Sequence, residues 1–191
     1  QPGWKGCMVL DEASFCKRVE RAYSLGNEVA IHIIGDAALD IVLDLVERIQ
    51  DPARNTQFEL IHCAVTRPDQ LERMKKLPVI INKQPIFIQA PTTLNGETKL
   101  GNGMGCAVTR QSFDGKTVVN PQECIDVFSA VKMFTANAAR VGHEERIKGT
   151  LEPGKLADFI ILNMDIFQIN PEEISKVSVV ETYLGGEPLY E

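Results

Sequence analysis

The residues best placed to do chemistry in this 191-residue chain are two of its three histidines, His32 and His62. Each lies near the C-terminal end of a short apolar run, Glu28 to Ile34 and Phe58 to His62, before the loop that follows it. In a parallel α/β barrel the C-terminal strand ends converge on one face, so this repeat aims two imidazoles at one place. Imidazole nitrogen is a good ligand for zinc, iron or nickel, and a catalytic ion needs about three protein ligands with one position left for water. The competing reading is that each histidine is a core residue hydrogen-bonded to a backbone carbonyl. His143, beside Glu144, Glu145 and Arg146, reads as a solvated loop residue.

Asp36 ends the stretch His32-Ile33-Ile34-Gly35-Asp36 immediately before a helix. Two roles suit it: capping free N–H groups in a favourable helix dipole, or orienting a ligand histidine from behind. Cys63 follows His62 directly, and neighbours on a strand point to opposite faces, so Cys63 is read as packing.

These residues need elements to hold them. Phe15, Val19, Ala22 and Tyr23 fall on one face of a helix spanning Asp11 to Leu25, which Gly26 can end. Glu28 to Ile34 is a nearly continuous β-branched run, the pattern of a parallel strand covered on both faces. Ala38, Ile41, Val42, Leu45, Val46 and Ile49 recur at helical spacing, with Asp40, Asp44, Glu47 and Arg48 outward. The grammar repeats with strand Phe58 to His62, a cap at Thr66, Pro68 in the first turn, a helix to Leu77 and a strand Val79 to Asn82. Alternation of this length indicates βαβ units and a parallel sheet.

From Phe87 to Lys116 the glycines, threonines, asparagines and prolines predict a long loop. Asn120, Pro121 and Glu123 predict the start of an apolar helix running through Ala139. Ala157 to Leu162 then reads as a strand, and Val177 to Thr182 with Leu189-Tyr190 as a hairpin turned at Gly185-Gly186. The last 40 or so residues thus form a separate β layer.

Composition narrows the partners. With 20 Lys and Arg against 26 Asp and Glu, a net charge of -6 has the wrong sign for gripping a phosphate backbone, so no nucleic acid is expected. No apolar stretch approaches the roughly 18 residues of a membrane span, which predicts a soluble protein with no membrane partner. Five cysteines without a C-x-x-C pair predict free, mostly buried thiols in a reducing compartment, the cytoplasm. A start at Gln1-Pro2-Gly3-Trp4, without Met, predicts processing or a fragment.

Several stretches resemble one family. Val29-Ala30-Ile31-His32-Ile33-Ile34-Gly35-Asp36, with Ala38 and Val42-Leu43-Asp44 after it, resembles the His-x-x-Gly-Asp strand–helix junction of the amidohydrolase superfamily. The branch it most resembles is family 3, related to N-substituted formamide deformylases. Phe58 to Ala64 is similar to that branch's next histidine strand, although Ile61 stands where the family often has Glu. Gln84-Pro85-Ile86-Phe87 resembles the following strand end, and Ala107-Val108-Thr109-Arg110 with Asp114-Gly115 a later loop. Thr135 to Ala139 and Lys148 to Leu162 resemble the passage from the last barrel helix into the small β domain.

The resemblance implies an α/β fold: the C-terminal half of a TIM-like (β/α) barrel over residues 1–140, then strands of a composite β-sandwich over 141–191. It implies a metal-dependent hydrolase of C–N bonds in small amide-type substrates, using a divalent metal, usually zinc, with His32 and His62 among its ligands. The departures are as informative. A complete barrel takes about 250 residues, so the family's His-x-His pair and bridging ligand would lie before Gln1. Roughly one βα unit, on the order of 30 residues, is missing near Phe87-Ile88. In the best register Gln89 occupies the position of the family's catalytic Asp, and an amide cannot serve as a general base. An inactive remnant or interaction module is the rival expectation. An open half-barrel would expose sheet edges, which predicts a homo-oligomer.

Overall fold

The computed structural model describes residues 8–54, 56–85, 100–112 and 115–189. They group into two compact units, Gln1–Lys83 and Gln84–Glu191. Within the second unit the helix at 100–109 packs on the segment 171–176.

The first unit is built of consecutive βα repeats. Helix α1, Glu12–Ser24, is capped by Asp11, whose carboxylate accepts from the Ser14 N–H at 2.9 Å. Strand β1, Val29–Ile33, leads into α2, Asp36–Ile49; β2, Phe58–His62, into α3, Pro68–Met74; and β3, Val79–Asn82, closes the unit. The strands are parallel in the order β1-β2-β3, with Val29 opposite Phe58 and Phe58 opposite Val79. Ile31, Ile33, Phe58 and Leu60 enter a core with Val19, Tyr23, Met74 and the apolar stripe Leu39, Val42, Leu43, Leu45 and Val46 of α2. Tyr23 stacks on Phe58 with ring centroids 4.9 Å apart. Each large apolar side chain so buried contributes about 1.5–3 kcal/mol, which is what holds the helices on this face.

The other face of the sheet is a departure from the expectation of a strand covered on both sides. Ala30 and His32 are exposed while Ile31 and Ile33 are buried, so β1 alternates. Helix α3 also begins one residue later than predicted. Arg67 takes the cap position, and Thr66 instead donates its hydroxyl to the Cys63 carbonyl at 2.9 Å.

In the second unit the predicted loop contains helix α4, Leu100–Thr109, despite Gly101, Gly103 and Gly105. Glycine costs about 1 kcal/mol in a helix interior, yet here it permits close packing. A Cβ at Gly103 would lie 3.2 Å from the Phe134 ring, whereas one at Gly105 would meet only ordinary contacts. Met104 and Val108 of α4 bury against Ala130, Ile166 and Ile174, a tertiary gain that outweighs local propensity. The predicted helix through Ala139 is three pieces: a 3-10 turn Pro121–Glu123, α5 Val127–Phe134 capped by Asp126, and α6 Ala136–Val141. The break falls at Thr135, whose hydroxyl donates to the Val131 carbonyl and whose backbone leaves the helical region. Strands β4 Phe159–Leu162, β5 Val179–Leu184 and β6 Glu187–Pro188 form an antiparallel sheet in the order β4-β5-β6, with the last turn at Gly185-Gly186 as expected. No helix among the described residues is long and apolar enough to cross a membrane.

Candidate metal centre

His32 and His62 meet. The Nδ1 of His32 lies 2.9 Å from the Nε2 of His62, with ring centroids 5.0 Å apart and planes tilted by 49°. Strand register alone would not bring this about. Ile33 is the partner of His62 across the sheet, and Phe58 and Leu60 of the same strand point into the helix-covered core, so regular alternation would bury the His62 ring. Instead His62 adopts φ +74° and Cys63 φ +45°, the left-handed region, and the chain turns so that the imidazole joins His32 on the exposed face. Such a conformation costs roughly 1–2 kcal/mol in a residue with a Cβ. Strain of this kind persists only where the surroundings over-determine it. Here the Cys63 N–H donates to the Ile33 carbonyl at 2.8 Å and the Val65 N–H to the Ile34 carbonyl at 3.0 Å, stitching the two histidine loops together.

The pair suits a divalent ion in part. Two nitrogens bound to one tetrahedral zinc at 2.0–2.1 Å stand about 3.3 Å apart, close to the spacing already present here. Both rings belong to the open side of the sheet, where an ion could reach them. Among the described residues, however, no group of three or more His, Cys, Asp or Glu is arranged to hold an ion, so the first unit offers a pair of donors rather than a full set.

The remaining candidates fall elsewhere. Asp36 is the first residue of α2 rather than its cap, which is Gly35. One carboxylate oxygen accepts from the Ala37 N–H at 2.9 Å, and the other pairs with Arg67 at 3.0 Å. Cys63 is fully buried in the core, and desolvation pushes its thiol up despite the nearby Lys83 ammonium, which donates to the Cys63 carbonyl. Cys106 is buried too, its thiol pushed up to about 11 by the same cause, whereas Cys124 is exposed. His143 is exposed in the second unit, and Gln89 lies outside the described residues.

Sequence reasoning passed over Arg67, Gln70 and Asp40. Arg67 reaches Asp40 at 2.8 and 3.0 Å and Asp69 at 3.0 Å. The hydrogen bond from Arg67 is the main cause that holds Asp40 below the usual carboxylate range, with Gln70 assisting. The available signal was the spacing Arg67-Pro68-x-Gln70, since a Gln at the third helical position returns to the cap's N–H. That bond is present, from Arg67 N–H to Gln70 Oε1 at 3.0 Å. On the open face, Asn82 donates to Glu59 at 2.7 Å across β2 and β3.

Known proteins resemble the chain over nearly all of its length. The model of the amidohydrolase family matches residues 2–99 and 101–190. YtcJ of Bacillus subtilis (strain 168), which carries an amidohydrolase name, is 26% identical over an alignment that takes in all of this chain and 42% of YtcJ. The N-substituted formamide deformylase of Arthrobacter pascens is 25% identical over 97% of this chain and 42% of its own length. A crystal structure described as an uncharacterized metal-dependent hydrolase from Pyrococcus horikoshii OT3 superposes with a TM-score of 0.71 at 28% identity, over 90% of this chain and 41% of that one. The chain therefore spans about two-fifths of the length of these relatives. The YtcJ alignment runs over 225 positions against the 191 residues here, so part of the relative within the aligned region has no counterpart.

Proposed function

Because this chain belongs to the amidohydrolase family, we propose that it is the C-terminal portion of a metal-dependent hydrolase that cleaves C–N bonds in small, non-peptide amide substrates. The observation that carries this reading is the 2.9 Å approach of His32 Nδ1 to His62 Nε2 at the ends of adjacent parallel strands. We read the parallel unit as part of a TIM-like barrel whose interior is the face bearing Ala30 and His32, and the antiparallel sheet as part of a composite sandwich. A divalent ion, which we take to be zinc, would lower the pKa of a bound water and polarise the scissile carbonyl. His32 and His62 would bind it through the nitrogens that now face each other. We place the missing βα unit near Phe87-Ile88; the break in the family match at residue 100, not far downstream, supports an interruption in this region. Gln89, if it holds the position of the family's proton-shuttling Asp, cannot move a proton there. The compartment we assign is the cytoplasm, on the scattered, unpaired pattern of the cysteines.

The test uses the 191-residue chain. Zinc titration is expected to show binding well below that of a complete three-ligand site, lost in both His32→Ala and His62→Ala, with no hydrolysis of N-substituted formamides. Zinc binding that is indifferent to both substitutions would remove the metal reading. Stoichiometric zinc with hydrolysis abolished by His32→Ala would instead overturn the incomplete-site reading.

A further inference from the structure

Among the described residues, Gln70 is the one polar side chain that is fully buried, and its amide bonds to the starts of both helices that follow the histidine strands. Its Oε1 accepts from the Arg67 N–H at 3.0 Å, while its Nε2 donates to the Asp36 carbonyl at 2.8 Å and to Asp40 Oδ1 at 2.7 Å. Asp36 opens the helix four residues after His32, and Arg67 caps the helix five residues after His62. Arg67 closes the same gap outside the core, with one guanidinium nitrogen on Asp36 and another on Asp40. A buried amide that loses such partners leaves unsatisfied groups at a cost, so the loops are held in one register relative to each other.

We propose that Gln70, with Arg67, is a positioning residue for the His32–His62 pair: it clasps the N-termini of α2 and α3 and thereby fixes the spacing of the two imidazoles. Asp36 then serves the pair through this clasp and not by touching a histidine. The geometry sets the clasp apart from ordinary helix–helix cohesion. Arg73 also bridges α2 and α3, to Asp44 at 2.5 Å and Glu47 at 2.9 Å, further along the helices; it approaches the clasp only at Asp40, at 3.8 Å, and touches neither Gln70 nor the start of α3. If bridging alone mattered, Arg73 would do as much.

The claim that the clasp tunes metal binding rests on the reading of the pair as metal donors; the claim about ring geometry does not, and the experiment separates them. Gln70→Met keeps the buried volume and removes all three hydrogen bonds, and Arg73→Met serves as the control. Imidazole nitrogen chemical shifts of His32 and His62, recorded without metal at a pH where both rings are neutral, report the contact between the rings. Gln70→Met is expected to move the shifts of both rings toward those of a free imidazole, and Arg73→Met to leave them in place. In a parallel zinc titration, Gln70→Met is expected to lose affinity by about 10–100-fold, as partners behind a ligand typically do. Should Gln70→Met fail to fold, Arg67→Met, at a half-exposed position, gives the same readout. Unmoved ring shifts in whichever variant folds, or equal movement in Arg73→Met, overturn the clasp. Moved shifts in Gln70→Met, beside a wild-type chain that binds no zinc, keep the clasp and discard the metal reading.

Discussion

At the scale of single residues, His62 decides whether the site exists. A histidine at φ +74° is held against its preference, and the reward is that its ring leaves the core side of β2 for the side that carries His32. Glycine enters the left-handed region at no steric cost, whereas alanine retains the clash. His62→Gly is therefore expected to fold with stability about 1 kcal/mol above His62→Ala, measured by urea denaturation, although glycine is ordinarily the poorer strand residue. The reverse order would mean that the backbone at 62 is ordinary β and that the meeting of the rings needs another cause. Cys63 shows the other half of the same turn, since its buried thiol occupies the core direction that the imidazole has given up.

At the scale of elements, α4 shows how packing overrides local preference. A segment with glycine at positions 101, 103 and 105 has little reason to be helical alone, yet Met104 and Val108 find a core among Ala130, Ile166 and Ile174. The glycines differ in what they are for. At Gly105 an added Cβ would meet ordinary contacts of 3.8 and 3.9 Å, so Gly105→Ala is expected to stabilise the second unit by about 0.5–1 kcal/mol through helix propensity. Gly149 is the opposite case, with φ +95° and an added Cβ only 2.6 Å from the Cβ of Ala139 and 3.1 Å from the Cα of Ala136. Gly149→Ala is expected to destabilise by at least 2 kcal/mol, since overpacking adds to the left-handed penalty. Thermal melts of the two variants check both signs, and a neutral Gly149→Ala would contradict the close approach of α6 to this turn.

At the scale of the whole molecule, exposed apolar surface sets the behaviour. Among the described residues Ile34, Val65, Phe128, Leu151, Val180 and Leu184 are all more than half exposed, and the parallel sheet is covered by helices on one face only. Parallel sheets are ordinarily buried on both faces, and unpaired strand edges recruit further strands. The 191-residue chain is expected to self-associate, and sedimentation velocity at micromolar concentration should show a dimer or larger species. A compact monomer across that range would mean that these faces are covered in some other way.

The βα alternation of the first unit and the β hairpin at the end were legible without any structure, because hydrophobic period and turn residues are local properties that survive without any partner. The sequence likewise placed His32 and His62 at equivalent strand ends, and the motifs around them carried the family. Tertiary structure decided what periodicity cannot encode. The left-handed turn at His62 depends on backbone bonds to the β1 loop, the clasp of Gln70 depends on two groups brought from α2, and α4 forms where a distant core accepts it. Each of these is a non-local interaction whose gain outweighs a local cost, and no window of neighbouring residues contains both sides of that balance.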